Sequence, residues 1–214
     1  MKTALIGASG YIGSFILKEA LNRGHKVTAI VRHPEKIILK HENLTIQKGD
    51  VTDEDQVAKL VAGHDAVITA YNPGWENPDI YNIQVAGYNS IINGIKKSGV
   101  KRLLVVGGAG SLETALGTQL VDMPDFPAEF MAGAMAIREV LNTLRKEKVL
   151  EWSFLSPSMD LSPGERTGNF RLGADRYLID ETGESRISGE DYAMAMIDEL
   201  EVPKHIRKRF TVGY

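Results

Sequence analysis

The chain has 214 residues, of which 43% are hydrophobic and 25% charged, with a net charge of −3 and no cysteine. The length suits one large domain, and the mixed charge excludes the basic surface that nucleic-acid binding needs. The lack of cysteine excludes disulfides, thiolate metal sites and a cysteine nucleophile. No signal-peptide core or membrane-length apolar run is present, so we expect a cytoplasmic protein that does not enter a membrane.

The first two thirds of the chain alternate short apolar runs with segments of helical periodicity. Strands are predicted at residues 4–6, 27–31, 44–46, 66–69, 103–106 and 152–155. Helices are predicted between them, ending at Gly24, Gly63 and Gly99, with Thr52 capping the second and a further helix over residues 131–147. Apolar strands that alternate with helices are typical of a parallel sheet covered on both faces. We therefore predict an α/β fold, a doubly wound parallel sheet of the Rossmann type, with its ligand at the carboxyl ends of the strands.

The alternation stops after Pro157, where glycine, serine and charged residues become frequent. Ser188 and Asp191 form a capping box that predicts one more helix, through Leu200. A hairpin is predicted from residues 169–172 and 177–180, and a last strand from residues 210–212. We expect one domain, residues 1–214, in which residues 158–190 form a small substrate-side lobe.

The first strand runs into the motif Gly7-Ala8-Ser9-Gly10-Tyr11-Ile12-Gly13. In such a turn Gly7 permits the tight exit from the strand, Gly10 lets the backbone approach a pyrophosphate, and Gly13 lets the helix pack closely on the sheet. The helix N-terminus then offers free N–H groups to the anion. A tight turn without a ligand is the alternative. An NTPase phosphate loop is disfavoured, because no Gly-Lys-Ser/Thr follows.

Arg32 lies just past the second predicted strand, where NAD enzymes often carry an acid that holds the adenosine ribose. A guanidinium there would attract a 2′-phosphate and bind it bidentately. His33 and Ser9 can add contacts. The sequence therefore favours NADP(H), with NAD(H) as the second option. The alternative is that Arg32 is a solvated surface residue.

Asp50 and Val51 follow the third predicted strand. The carboxylate can accept a hydrogen bond from the adenine amine while Val51 packs on the ring. The alternative is a turn aspartate, because Gly49-Asp50 is favourable turn chemistry.

These features together resemble the short-chain dehydrogenase/reductase superfamily, in its atypical NAD(P)H-binding branch. That branch includes NmrA-like sensors and enzymes similar to flavin and biliverdin reductases. The C-terminal third looks like a subgroup of small bacterial proteins related to dihydroflavonol reductases, and the resemblance covers essentially the whole chain. The matching segments are the glycine motif, Arg32, Asp50-Val51, Thr69-Ala70-Tyr71-Asn72, Val105-Val106-Gly107-Gly108, Leu155-Ser156-Pro157-Ser158, residues 164–168 and residues 187–193.

The resemblance implies further cofactor contacts. Ala70 and Tyr71 would line the cofactor ribose and pyrophosphate, and Asn72 is a further cofactor-binding candidate. By the same resemblance, Gly107 and Gly108 would lie near the nicotinamide ribose. The pair Pro157-Ser158 would border the nicotinamide ring.

Most dehydrogenases of this superfamily carry Tyr-x-x-x-Lys on the helix after the fifth strand, where the tyrosine acts as acid or base. No tyrosine of this chain has a lysine four residues later. When Glu139 is aligned with a glutamate that is common after that motif, Met131 and Met135 occupy those two positions. Methionine cannot donate a proton, so no catalytic acid is assigned, and Tyr71 and Tyr81 are the remaining candidates.

Several residues are candidates for contact with a substrate. Met131, Met135 and Met159 can form a soft surface for a flat ligand, although methionine more often fills core. Trp75 can stack on a substrate or only pack in its loop. Arg166 can meet a polar substrate or remain solvated. The histidines show no metal-ligand spacing, so we expect no metal.

Three functions remain open at this point. The first is an NADPH-dependent reductase of a small conjugated acceptor, such as a flavin or a quinone. The second is a non-catalytic NADP(H)-binding redox sensor that signals to a protein partner. The third is a sugar or flavonoid reductase with an unrecognised proton donor. We expect a small-molecule substrate, and a homodimer as a candidate assembly through the apolar face of the helix over residues 80–97.

Overall fold

The computed structural model describes residues 1–214, which form ten strands and five α-helices. The strands are β1 (Lys2–Ile6), β2 (Lys26–Val31), β3 (Leu44–Lys48), β4 (Ala66–Thr69), β5 (Arg102–Val106), β6 (Glu151–Ser156), β7 (Asp160–Ser162), β8 (Arg171–Gly173), β9 (Arg186–Ser188) and β10 (Lys208–Gly213). The helices are α1 (Tyr11–Asn22), α2 (Glu54–Val61), α3 (Ile80–Ser98), α4 (Ala128–Lys146) and α5 (Gly189–Glu201). None of these helices has the length and apolar content needed to cross a bilayer.

Eight strands form one sheet in the order β3-β2-β1-β4-β5-β6-β10-β8. All neighbours are parallel except β8, which runs antiparallel to β10 at the edge. The chain order reverses between β1 and β4, which creates the crevice where ligands bind in doubly wound folds. The predicted fold class is confirmed.

Helices cover both faces of this sheet, because its central strands are apolar on both sides. On one face α2, α3 and α4 enclose a core of 22 buried residues, including Tyr88 and Phe154. On the other face α1 and α5 enclose a second core of 22 buried residues, including Tyr192 and Phe210. Each helix that follows a parallel strand begins at the carboxyl edge of the sheet. The N-termini of α1, α3 and α4 therefore meet at one edge.

Local capping chemistry sets two helix ends where the sequence predicts them. Gly99 ends α3 with a φ of 83°, a left-handed conformation that glycine adopts without strain. Ser188 caps α5 by accepting from the amide of Asp191. The prediction that Thr52 caps α2 is wrong. Asp53 is the cap, because its carboxylate accepts from two α2 amides while the Thr52 hydroxyl donates to Asp50.

The predicted hairpin between residues 169–172 and 177–180 is wrong. Residues Arg171–Gly173 form β8, which pairs with the outer edge of β10 and satisfies the backbone groups there. Residues 177–180 form no strand, and the Asp180 carboxylate instead accepts from the backbone amides of Thr182 and Glu184. Two short strands that the sequence did not reveal, β7 and β9, pair in parallel beside the main sheet.

Candidate functional site

The glycine turn lies at the point where the strand order reverses. Gly7 has a φ of 80°, and a side chain there would begin 2.6 Å from the backbone oxygen of Ala70. A side chain at Gly13 would begin 2.1 Å from the backbone oxygen of Gly7. Both positions therefore require glycine, because the turn packs directly on the segment after β4 and on the start of α1.

The N-terminus of α1 remains open toward solvent. Gly10 is its cap and supplies no side-chain hydrogen bond, and no acid lies in the first turn. The backbone amides of residues 11–13 have no acceptor within the chain. Ser9, Gly10 and Tyr11 are exposed beside them. These unpaired donors, together with the helix dipole, fit a phosphate or pyrophosphate group.

The ends of β2 and β3 form a second polar corner of the crevice. Arg32 is exposed directly after β2, and it contributes to the lowered pKa of Asp50 after the larger effect of the Thr52 hydrogen bonds. The Asp50 carboxylate accepts from the amide and hydroxyl of Thr52 at 3.0 and 2.9 Å. His33 pairs with Glu35 at 3.1 Å. The corner therefore offers one guanidinium that no carboxylate holds within ion-pair distance.

Val51 differs from its polar neighbour Asp50. Its side chain is buried in the core on the α2–α3–α4 face. Asp50 is therefore a turn aspartate, the alternative given above, because its carboxylate accepts from Thr52. The same carboxylate also lies near Arg32.

Residues after β4 lie directly beside the glycine turn. The Tyr71 ring packs against Gly87 of α3, and burial raises the pKa of its hydroxyl. Arg32 and Asp50 are the charged groups that act on this hydroxyl. Asn72 accepts from the amide of Gly74 at 2.7 Å, which shapes the loop before α3. Tyr71 therefore lies on the Arg32–Asp50 side of the crevice.

The ends of β5 and β6 are packed as closely as the glycine turn. A side chain at Gly107 would begin 2.3 Å from the ring of Phe154, and one at Gly108 would begin 2.7 Å from Ile137. Pro157 is buried next to them. The Ser158 hydroxyl donates to the backbone oxygen of Val212 at 2.9 Å, so this group ties β6 to β10.

Two aromatic side chains lie at the entrance of the crevice. Trp75 and Phe130 pack edge to face with ring centroids 5.4 Å apart, and they remain 52% and 45% exposed. The Trp75 indole lies over Gly133 of α4, where a side chain would begin 2.5 Å from it. We call Trp75 and Phe130 the aromatic shelf. Phe130 was not among the predicted site residues. It directly precedes the candidate Met131 in the first turn of α4, and this position could have identified it.

The methionine candidates lie near the surface rather than in the core. Met135 and Met159 are exposed, and Met131 is half-buried. Neither core cluster includes any of the three. Tyr81 is partly exposed in the first turn of α3, at the same edge of the sheet.

Arg166 is held away from the crevice. Its guanidinium donates to both carboxylate oxygens of Glu19 at 2.8 and 2.9 Å, and Arg23 also donates to that carboxylate. The hydrogen bond from Arg166 holds the pKa of the buried Glu19 carboxyl below its ordinary value. The geometry thus favours a structural role for Arg166, which fixes the segment after β7 on α1.

The comparisons with known proteins agree with this geometry. A family model described as NAD(P)H-binding matches residues 7–203. The protein YwnB of Bacillus subtilis is 42% identical over 99% of this chain and 98% of its own length. A crystal structure from Bacteroides thetaiotaomicron, provisionally named an epimerase, is 52% identical with a TM-score of 0.94, and the match covers 100% of this chain and 96% of that one.

One further solved structure bears on chemistry. A Streptococcus pneumoniae protein provisionally named an NADH-flavin reductase is 38% identical with a TM-score of 0.84, over 100% of this chain and 99% of that one. The glycine turn, the open helix and the matching family model agree. The chain therefore belongs to the NAD(P)H-binding family, a Rossmann-fold oxidoreductase family.

Proposed function

We propose that this protein is an NADP(H)-dependent oxidoreductase that passes a hydride to a small conjugated acceptor, such as a flavin, a quinone or a related carbonyl compound. The observation that carries the proposal is the position of the aromatic shelf. Trp75 and Phe130 expose apolar rings at the edge of the sheet that also holds the open N-terminus of α1. A flat acceptor can stack on such rings.

The preference for NADP(H) over NAD(H) rests on Arg32. This side chain is exposed after β2, and no carboxylate holds it in an ion pair. A guanidinium binds a phosphate bidentately, and such charge-assisted bonds are stronger than neutral ones. The ribose 2′-phosphate of NADP(H) is the group that would use it.

A reduced nicotinamide, when bound, supplies the hydride. The protein contributes binding and orientation, and holding two reactants in contact can account for much of a rate enhancement. Water supplies the proton that accompanies the hydride onto the acceptor. Helix α4 offers no tyrosine, and its only lysine is Lys146 at the far end. Tyr71 lies near Arg32 and Asp50, and its raised pKa disfavours proton release near neutral pH.

The names of the relatives suggest two chemistries. The pneumococcal relative is named for flavin reduction and the Bacteroides relative for epimerisation. Inverting a stereocentre through a nicotinamide cofactor takes a hydride from the carbon and returns it on the other face, and it also requires a side chain that removes and returns the hydroxyl proton. The exposed shelf and an α4 without a tyrosine therefore favour reduction of a conjugated acceptor.

The test is oxidation of NADPH by the purified protein in the presence of flavins, quinones and ketones. The proposal expects turnover above the buffer rate with at least one planar acceptor. A Trp75→Ala variant should lose this activity while it retains NADPH binding. Tight, redox-selective NADPH binding without turnover on any acceptor would instead favour the redox sensor.

A further inference from the structure

The inner face of α3 carries a polar group that the protein leaves without a partner. Gln84 is 4% exposed, and its Oε1 receives no hydrogen bond from any group of the chain. A buried acceptor without a donor costs free energy, and native structures leave few such groups. The unpaired oxygen of Gln84 therefore points to a donor that comes from outside the chain.

The neighbours of Gln84 along α3 place it near the crevice. One turn further along α3, the Tyr88 hydroxyl donates at 3.2 Å to the backbone oxygen of Tyr71, just past β4. One turn earlier, Ile80 packs toward Gly133 of α4. Since a helical turn rises about 5.4 Å, Gln84 lies between the end of β4 and the aromatic shelf, on the buried stripe of α3.

Two other unpaired oxygens lie on the same side of the sheet. Ser156 is the last residue of β6, and Ser111 lies in the segment that follows β5. Both hydroxyls are fully buried without a hydrogen-bond partner. The region near the carboxyl ends of β4, β5 and β6 is thus closely packed and contains several side-chain oxygens without a hydrogen-bond partner.

We propose that Gln84 recognises the bound ligand, and that its carboxamide oxygen accepts a hydrogen bond from a neutral hydroxyl or N–H group of that ligand. The inference rests on the proposed cofactor site. Because an amide oxygen is uncharged and only accepts, it selects a donor group rather than a phosphate or a carboxylate. A ribose hydroxyl in the nicotinamide half of the cofactor and an N–H or O–H of the acceptor both supply this chemistry.

The test uses Gln84→Met, which keeps the side-chain length and removes the acceptor. Removing an unpaired buried oxygen should raise the melting temperature of the ligand-free protein. The same change should weaken ligand binding about three- to tenfold, as loss of one neutral hydrogen bond does. A side chain with a purely structural role would instead lower the melting temperature when it is replaced. Ser90→Ala is the control, since it removes another unpaired buried oxygen from α3.

Calorimetry with NADP⁺ and with adenosine 2′,5′-bisphosphate, which lacks the nicotinamide half, separates the two sources of the donor. Weaker binding of NADP⁺ alone assigns the contact to the nicotinamide half. An unchanged Kd for NADP⁺ with a raised KM for the acceptor assigns it to the acceptor. Either result supports the proposal, and the first does so even if no acceptor is turned over. Unchanged binding and KM, or equal weakening of both nucleotides, would overturn it.

Discussion

We propose that the choice between NADP(H) and NAD(H) depends on Arg32. Replacing it with alanine removes the guanidinium expected to hold the 2′-phosphate. We expect Arg32→Ala to weaken NADPH binding by about tenfold to a hundredfold, the effect of losing hydrogen bonds to a charged group, with little change for NADH. Titration calorimetry with both cofactors measures this. Lys36→Ala, a nearby exposed lysine, is the control. Equal losses for both cofactors would contradict the assignment of Arg32 to the phosphate.

Substitutions at Gly10 and Gly13 distinguish a loss of NADPH binding from a loss of folding stability. Gly10 has an ordinary extended conformation, and the nearest atom to an added side chain is 3.3 Å away. We expect Gly10→Ala to keep the melting temperature and to lose NADPH affinity, because its methyl group enters the space where the pyrophosphate would bind.

The paired variant is Gly13→Ala, whose side chain would collide with the Gly7 backbone. Such overpacking should destabilise the fold by about 1–3 kcal/mol, measured by urea denaturation. Stable folding of Gly13→Ala, or undiminished NADPH affinity of Gly10→Ala, would show that the turn is looser than described.

At the scale of single elements, the first turns of α4 position the aromatic shelf. Gly133→Ala should push the Trp75 indole outward while it improves helix propensity by about 1 kcal/mol. We expect a higher KM for the acceptor and altered tryptophan fluorescence, since Trp152, the other tryptophan, is buried. The Kd for NADPH should not change. Ala132→Ser, on the exposed neighbouring position, is the control.

The elements also show how far sequence reasoning extends. The strands from β1 to β6, the Ser188 cap and the Gly99 stop follow from local periodicity and local hydrogen bonds, which the sequence states directly. The pairing of β8 with β10 does not, because it joins segments far apart in the chain through backbone groups that every residue carries. Short strands such as β7 cannot be predicted from the local sequence either.

The site shows the same division. Glycine spacing predicts the turn, and the structure supplies the contacts that make Gly7 and Gly13 necessary. The partner of Arg166 could not be predicted, since Glu19 lies on a different helix and charge patterns do not identify distant ion pairs. Phe130 joined the shelf only when the fold brought Trp75 onto α4.

At the scale of the whole molecule, a buried ionic network ties α5 to the amino ends of β5 and β6. Glu199 is 3% exposed and accepts hydrogen bonds from Arg102, Ser153 and His205. Burial alone would raise the pKa of this carboxyl, but hydrogen bonds from the His205 side chain, the backbone amides of Lys204 and His205, and the Ser153 hydroxyl outweigh it, and the pKa lies below its ordinary value. The network therefore stabilises the fold while Glu199 is ionised.

The pH dependence of this stabilisation follows from the lowered pKa of Glu199. A carboxyl whose pKa is lower in the folded state stabilises the fold at every pH above its pKa in the unfolded state, near 4.3. This stabilisation is lost as the pH falls through the pKa of the folded state. Glu199→Gln should therefore cost about 3 kcal/mol in unfolding free energy at neutral pH, because Arg102 is left buried without its partner charge.

Urea denaturation of wild type and variant across pH measures this difference, which should narrow below about pH 4. Glu42→Gln, an exposed carboxyl outside the network, is the control and should show no such difference. A constant difference down to acidic pH would contradict the role of the Glu199 charge.

The assembly of the molecule remains a prediction. The apolar stripe of α3, which suggested a homodimer, packs on the sheet and is not a free surface. The outer groove between α3 and α4 is polar and includes Asn89, Asn93 and Lys96. Any dimer must therefore use a surface other than that stripe, and light scattering on the purified protein reports the mass.

The central claim is that a nicotinamide cofactor, held by its pyrophosphate at the glycine turn, passes a hydride to an acceptor that binds on the aromatic shelf. Its most direct test is a single-turnover measurement with protein preloaded with NADPH or with NADPH deuterated at the transferred position, mixed with riboflavin or a quinone. We expect nicotinamide absorbance to decay faster than in protein-free buffer, and deuterium to slow that decay. Tight cofactor binding with no protein-dependent decay on any acceptor would contradict the claim.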